Sequence, residues 1–365
     1  MLAVVAAASV YRLKIQPYPL KQFPDSATVV KAERLLNGRF SGTVPFRLEI
    51  EASQSEAFLH RENLRALESV QGVLSESSDV GYQLSILSVV KRINYYFHDS
   101  DTQFLAIPEV QDEERFASLI QQYLLFYSAS ASPDEYESLI DASFTTVSIH
   151  GILRYRDSTS LDDFQRSLDR ITSSAPSGWK IRLSGSLLEL IRIKANMERN
   201  WYFTFGFGTI LIFLTVLVFF RSIKMSLISL VPSFCILLVL AGVAPMLNIQ
   251  VDEYTIVIVG VSTGLTIDYT IHMLNTVRNT VSRRKSWRSV RSFGYALARS
   301  GSQPVFLSLL TTILAFITLF VSAFTGAVHF AFLLCLGMGS AFLISVFVLP
   351  LFFVAGVKFP PARSV

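Results

Sequence analysis

The chain has 365 residues, 51% of them hydrophobic and only 16% charged, with a mean hydropathy of +0.44. That charged share is well below the roughly 25% of soluble domains, which argues against a single soluble domain, a disordered chain or a disulfide scaffold. Residues 201–365 hold three acids (Asp252, Glu253, Asp268) against 11 lysines and arginines, whereas residues 1–200 hold 25 acids against 21. The formal net charge of +4 thus joins a water-soluble part to a membrane part and points to no nucleic acid. Cys235 and Cys335 lie in apolar stretches and offer neither a disulfide framework nor zinc spacing.

Met1 to Tyr11 is apolar but too short to span a bilayer, and it lacks the basic start of a signal peptide. It reads as the truncated end of a first transmembrane helix. Residues 12–198 then read as an outside domain with alternating strand and helix signals. Val44 to Ala52 alternates Phe46, Leu48 and Ile50 with Arg47, Glu49 and Glu51; Thr145 to Tyr155 and Trp179 to Leu183 are further strand-type runs. Helical patterns cover His60 to Ser75, Gln83 to Phe97, Glu113 to Tyr127 and Ser160 to Thr172, the last with Ser160 as N-cap and Asp163 at N3. This order suits an α+β split-βαβ module. A last helix, Leu187 to Arg199, runs on into the first complete span.

In this half His60, His98 and His150 read as surface or structural histidines, and His98 with Asp99 and Asp101 as a polar loop. The aromatic segments Tyr95 to Phe97 and Leu124 to Tyr127 read as packed core, with a lipid-facing groove as the alternative. No Gly-rich phosphate loop, nucleophile elbow or pair of catalytic carboxylates is present in the sequence. The chain reads as no enzyme, with no catalytic residue, metal or cofactor.

A bilayer-spanning helix needs about 20 apolar residues. Twenty-one uncharged residues separate Arg199 from Arg221, and 27 separate Lys224 from Asp252. Tyr254 to Val277 is interrupted only by Asp268 and His272, and 58 uncharged residues lie between Arg299 and Lys358, enough for two spans turning at Ser322 to Val328. Residues 199–357 therefore predict five complete spans, with 358–365 as a tail. Arg221 and Lys224, the basic run Arg278 to Arg299, and Lys358 and Arg363 fall on alternate loops. The positive-inside rule puts them in the cytoplasm and residues 12–198 outside.

Asp268 carries the chemistry. It lies 14 residues beyond Tyr254, about 21 Å along a helix. A carboxylate at mid-span is unfavourable by about 2.5–3.5 kcal/mol, and a carboxyl in low dielectric favours its neutral form. Such a group can load and release a proton as its surroundings change. His272 is at i+4 on the same face and can act as partner or second carrier; Tyr269 adds a hydroxyl. Gly260 and Gly264, four apart, allow close approach of another helix. Thr311 and Thr312 are placed to reach a neighbouring carboxyl, or else bond back to their own helix. Asp252 and Glu253 read as boundary acids and His329 as structural. The competing reading of Asp268 is a purely structural lock between helices.

The segment Gly264 to Leu274, GLTIDYTIHML, resembles the Gly-x-x-x-Asp-(Asp/Tyr/Phe) signature in the fourth helix of the resistance–nodulation–division (RND) superfamily, in its MMPL and sterol-sensing-domain branch. Residues 296–322, with Thr-Thr, resemble that group's fifth helix, and SGSLLEL at 184–190 the Gly turn before its second helix. The resemblance implies an α+β extracytoplasmic porter domain (split βαβ, ferredoxin-like) and an all-α transmembrane bundle of five complete helices and one truncated helix. It implies a proton-motive-force-driven exporter of lipid or other hydrophobic substrates, with protons and membrane lipids as further partners. Asp268 would be the carrier, Tyr269 would occupy the position of a second Asp in some relatives, and Thr311 or Thr312 would contact the relay. One repeat is visible where the family has two, so a second RND repeat or a homo-oligomer is implied, in a bacterial inner membrane. The alternatives are a sterol- or lipid-sensing membrane receptor that does not pump, and an assembly subunit.

Overall fold

A computed structural model of the chain describes residues 17–247, 249, 252–283 and 302–354. The readings of Met1 to Tyr11, of the basic loop from residue 284 to Arg299 and of the 358–365 tail lie outside the described residues. The chain divides into two compact units, Thr28–Ile193 and a second made of Lys194–Val365 with Met1–Ala27.

In the first unit α1 (Thr28–Arg39) precedes β1 (Val44–Glu51), α2 (Arg61–Glu76), β2 (Val80–Leu84), α3 (Ile86–Phe97), α4 (Glu113–Ser128), α5 (Pro133–Leu139), β3 (Thr146–Leu153), α6 (Ser158–Ser174) and β4 (Lys180–Ser184). The strands form one sheet in the order β2-β3-β1-β4, each neighbouring pair antiparallel. α2 links β1 to β2 across β3, and α6 links β3 to β4 across β1. Between β2 and β3, where a tight turn would suffice, the chain inserts α3, α4 and α5.

Alternation in β1 explains the sheet. Phe46, Leu48 and Ile50 are buried, while Glu49 and Glu51 stand opposite Arg182 and Lys180 of β4 with ion pairs at 3.6 Å. Exposed pairs contribute about 0–1 kcal/mol and a buried large apolar side chain about 1.5–3 kcal/mol. The apolar face therefore holds the sheet, and the charges select the register. Phe46 packs edge-on to Phe164 of α6 at 4.8 Å. Gly151 stands directly across from Phe46, and a Cβ there would come within 2.1 Å of the ring. Gly185, with φ +94°, makes the left-handed turn out of β4 that L side chains resist.

Two expectations are corrected here. Gln83 and Leu84 end the edge strand β2, and α3 starts at Ile86 behind a Ser85–Ser88 capping box. Leu84 sits at helical spacing from Leu87, so the apolar run of α3 masked a five-residue strand. The cap of α6 is Asp157, whose carboxylate accepts from the Thr159 N–H at 2.8 Å, and Ser160 is buried within the first turn. A charged acceptor outcompetes a hydroxyl at a helix N-terminus.

The second unit contains α7 (Ser186–Phe220) from Lys194 onward, α8 (Ile223–Met246), α9 (Glu253–Arg283), α10 (Ser302–Phe316), a 3-10 turn Ile317–Val321, α11 (Thr325–Leu343), a π turn Ile344–Val348 and α12 (Leu349–Val354). Among the described residues four segments are long and apolar enough to cross a membrane: Ile223–Met246, Thr255–Asn279, Gln303–Val321 and Thr325–Phe352. The apolar stretch Gly206–Phe220 of α7 is shorter, so four of the five expected spans meet that length. The expected turn narrows to Ser322–Phe324, because Thr325 opens α11.

α8, α9 and α11 meet around Gly337, whose missing Cβ would touch the Ser262 hydroxyl at 3.4 Å and Ile236 at 3.5 Å. Small residues let the backbones approach where no hydrophobic drive separates protein from lipid. Ile236, Leu240, Ile258, Leu334 and Met338 fill the same core. Outward faces carry Leu227, Phe306, Leu314 and Val321, a surface suited to hydrocarbon. α10 is the least covered: 11% of its span is buried, against 39% of α8.

Candidate functional site: a carboxyl within a membrane span

α9 positions the site. Asp252 caps it: its carboxylate accepts from the Thr255 N–H at 2.8 Å, while the Thr255 hydroxyl accepts from the Asp252 N–H at 2.7 Å. That is a structural task for an acid read from sequence as solvated. Sixteen residues beyond Asp252, near the centre of the Thr255–Asn279 span, stands Asp268. Its Oδ2 accepts a hydrogen bond from the Ser308 hydroxyl of α10 at 3.2 Å, and its Oδ1 lies 3.3 Å from His272 Nε2. The i+4 spacing thus brings the carboxyl and imidazole together. Both side chains are about half exposed, 50% for Asp268 and 56% for His272.

Val257, Gly264, Asp268 and His272 form one exposed stripe along α9. Gly264 has nothing within 4 Å of where its Cβ would stand, so among the described residues no helix fills the approach it permits. Gly260 does have a neighbour, Thr204 of α7 at 3.3 Å, and Gly208 of α7 meets Thr263 at 3.5 Å. The two glycines therefore differ: Gly260 closes the α7–α9 contact, and Gly264 leaves the carboxyl's face open.

Tyr269 points inward. It is buried, and its hydroxyl faces Ser308 and Thr312 without closing a hydrogen bond of normal geometry with either. Thr311 bonds back to Leu307 O and Ser308 O at 3.0 Å, and Thr312 to Ser308 O at 2.8 Å. The hydroxyl that reaches the carboxyl is thus Ser308, one turn before Thr312. Sequence reasoning passed over it because the Thr-Thr pair drew the attention, although Ser308 shares a face with Thr312. Ser262, Thr266 and Thr270 line the buried side of the same helix; Thr266 and Thr270 bond to carbonyls four residues back.

Chemically the site is one carboxyl held by a hydroxyl and an imidazole, open on one side, at mid-span. Among the described residues no group of three His, Cys, Asp or Glu is placed to hold a metal ion. Ionisable groups at this depth are costly and mark ion or proton pathways.

The model of the MMPL family matches residues 140–365, which takes in β3, β4 and, among the described residues, α7 to α12. No curated protein matches the chain. With four apolar helices of spanning length it is an integral membrane protein. The chain belongs to the MMPL family of RND-type membrane transporters of hydrophobic substrates.

Proposed function

We propose that the chain is one repeat of a proton-motive-force-driven exporter that moves lipid or other hydrophobic molecules, with Asp268 as the proton carrier. One observation carries the reading: a half-exposed carboxyl at the centre of a span, hydrogen-bonded by Ser308 and 3.3 Å from the His272 ring. In its ionised state the carboxylate accepts from the Ser308 hydroxyl, and a protonated His272 ring 3.3 Å away would balance its charge. In its neutral state it suits hydrocarbon. Switching between the two requires a face that water or a moving helix can reach, and the Gly264–Asp268–His272 stripe supplies one. A second repeat, or a second copy, would close that stripe. The strand order of the Thr28–Ile193 unit suits a split-βαβ, ferredoxin-like porter, placed outside a bacterial inner membrane with the basic loops in the cytoplasm. No enzymatic step is assigned.

The test is export by the membrane-purified protein in vesicles carrying a proton gradient. Asp268→Asn is expected to lower export at least about 100-fold, as for loss of an essential relay group, with assembly unchanged, while Asp268→Glu retains part of it. Export undiminished in Asp268→Asn contradicts the relay. Lipid binding without gradient-driven export in either form would instead favour a lipid-sensing receptor.

A further inference from the structure

The helices inserted between β2 and β3 enclose a cavity of about 390 Å³, lined among others by Asn94, His98, Gln103, Phe104, Glu109 and Tyr123. All of it lies before residue 140, outside the stretch matched by the MMPL family. Its size is that of a small-molecule site.

Most polar groups of the lining are acceptors or are bonded within the fold. Asn94 is 3% exposed and spends its amide on Phe104 O at 2.8 Å and Ala106 O at 3.2 Å, while its oxygen accepts from the Tyr123 hydroxyl at 3.2 Å. These two residues hold the walls and have no donor left over. His98 Nδ1 lies 2.8 Å from Asn94 O. A carbonyl accepts only, so Nδ1 carries the proton and neutral His98 keeps its Nε2 lone pair as an acceptor. Gln103 donates one N–H to Asp101 at 2.7 Å, which leaves its carbonyl oxygen and a second N–H. Glu109 adds a carboxylate, and no Lys or Arg lines the cavity. The remaining walls are apolar: Phe104, stacked on His98 at 4.0 Å, with Ile107, Val110 and Leu119.

An apolar track continues outward. Tyr123 stacks on Phe97 at 5.6 Å, and Phe97 meets Phe126 at 5.7 Å. Phe97 and Phe126 are 59% and 58% exposed, next to Leu125 at 69%. These exposed rings extend the apolar wall of the cavity to the surface.

We propose that this inserted helical segment binds an amphiphile whose hydrogen-bond-donating amine head enters the cavity, against Glu109, Gln103 and His98, and whose apolar body lies along Tyr123, Phe97 and Phe126. Glu109 is the one acid among the lining residues, so the cavity favours an amine over a carboxylate or phosphate head. The proposal rests on the exporter reading only for the purpose of binding. Binding itself is measured in detergent without a proton gradient, so the two fail separately.

Three probes with one 18-carbon tail decide it: oleylamine, monoolein and oleate, titrated against the full-length protein. Oleylamine is expected to bind tightest and oleate weakest. Glu109→Gln, an exposed and near-isosteric change, is expected to weaken oleylamine about fivefold and leave monoolein within about twofold. Ile107→Trp, which fills the cavity from a loop, is expected to weaken oleylamine about tenfold or more. A thermal midpoint equal to the parent's confirms that each variant is folded. Oleate binding as tight as oleylamine, or oleylamine binding unchanged in both folded variants, overturns the proposal.

Discussion

At the residue scale, the carboxyls of the chain do opposite work. Asp268 is half open and held by two partners, whereas Asp141 is locked in a turn. Burial pushes the Asp141 carboxyl up. The Ser143 hydroxyl, the Thr146 N–H, and the hydroxyl and N–H of Thr145 outweigh it and hold the carboxyl below its ordinary range. A depressed folded value means stability that is present above the ordinary carboxylate range and lost as pH falls through the folded one. Asp141→Asn is expected to destabilise the protein by about 1–2 kcal/mol at neutral pH, and the deficit to shrink below about pH 4. Thermal midpoints of both forms between pH 3 and 7 check this; a deficit independent of pH contradicts it. Local spacing made Asp268 and His272 legible, because i and i+4 share a helix face. Ser308 was not legible as its partner, because a contact between helices leaves no mark on the periodicity of either.

At the scale of elements, β1 shows where pattern succeeds and β2 where it fails. Eight alternating residues with one buried face can only be a strand, while five residues ahead of an apolar helix are absorbed into the helical pattern. What no pattern states is the close approach at Gly151. Gly151→Ala is expected to cost about 1–3 kcal/mol by forcing Phe46 aside, and Phe46→Leu in the same chain is expected to recover part of it. A thermal midpoint for Gly151→Ala equal to the parent's would show that the ring moves freely. Gly264 is the opposite case. With open space beyond it, Gly264→Phe is expected to leave stability within about 0.5 kcal/mol. It is also expected to abolish transport by blocking the partner that closes the Asp268 stripe. Transport at the parent's level in Gly264→Phe means that nothing docks there.

At the scale of the whole molecule, the charge division between residues 1–200 and 201–365 falls close to Ile193, where the two compact units part, and acids are rare where hydrocarbon is the solvent. The sequence also held the alternation of basic and uncharged loops. The inserted helices and their cavity were less legible: Tyr95 to Phe97 and Leu124 to Tyr127 read as packed core with a groove as the alternative, and only folding the two helices together places Phe97 against Tyr123 and leaves Phe97 and Phe126 exposed. The central claim is that protons pass through Asp268 in step with cargo. The most direct measurement is proton flux in sealed vesicles containing the purified assembly, followed with an entrapped pH dye while a pH gradient is imposed and a hydrophobic cargo is supplied. The account predicts cargo-dependent proton movement in the parent and none above empty vesicles in Asp268→Asn. Equal cargo-dependent flux in the two would contradict it.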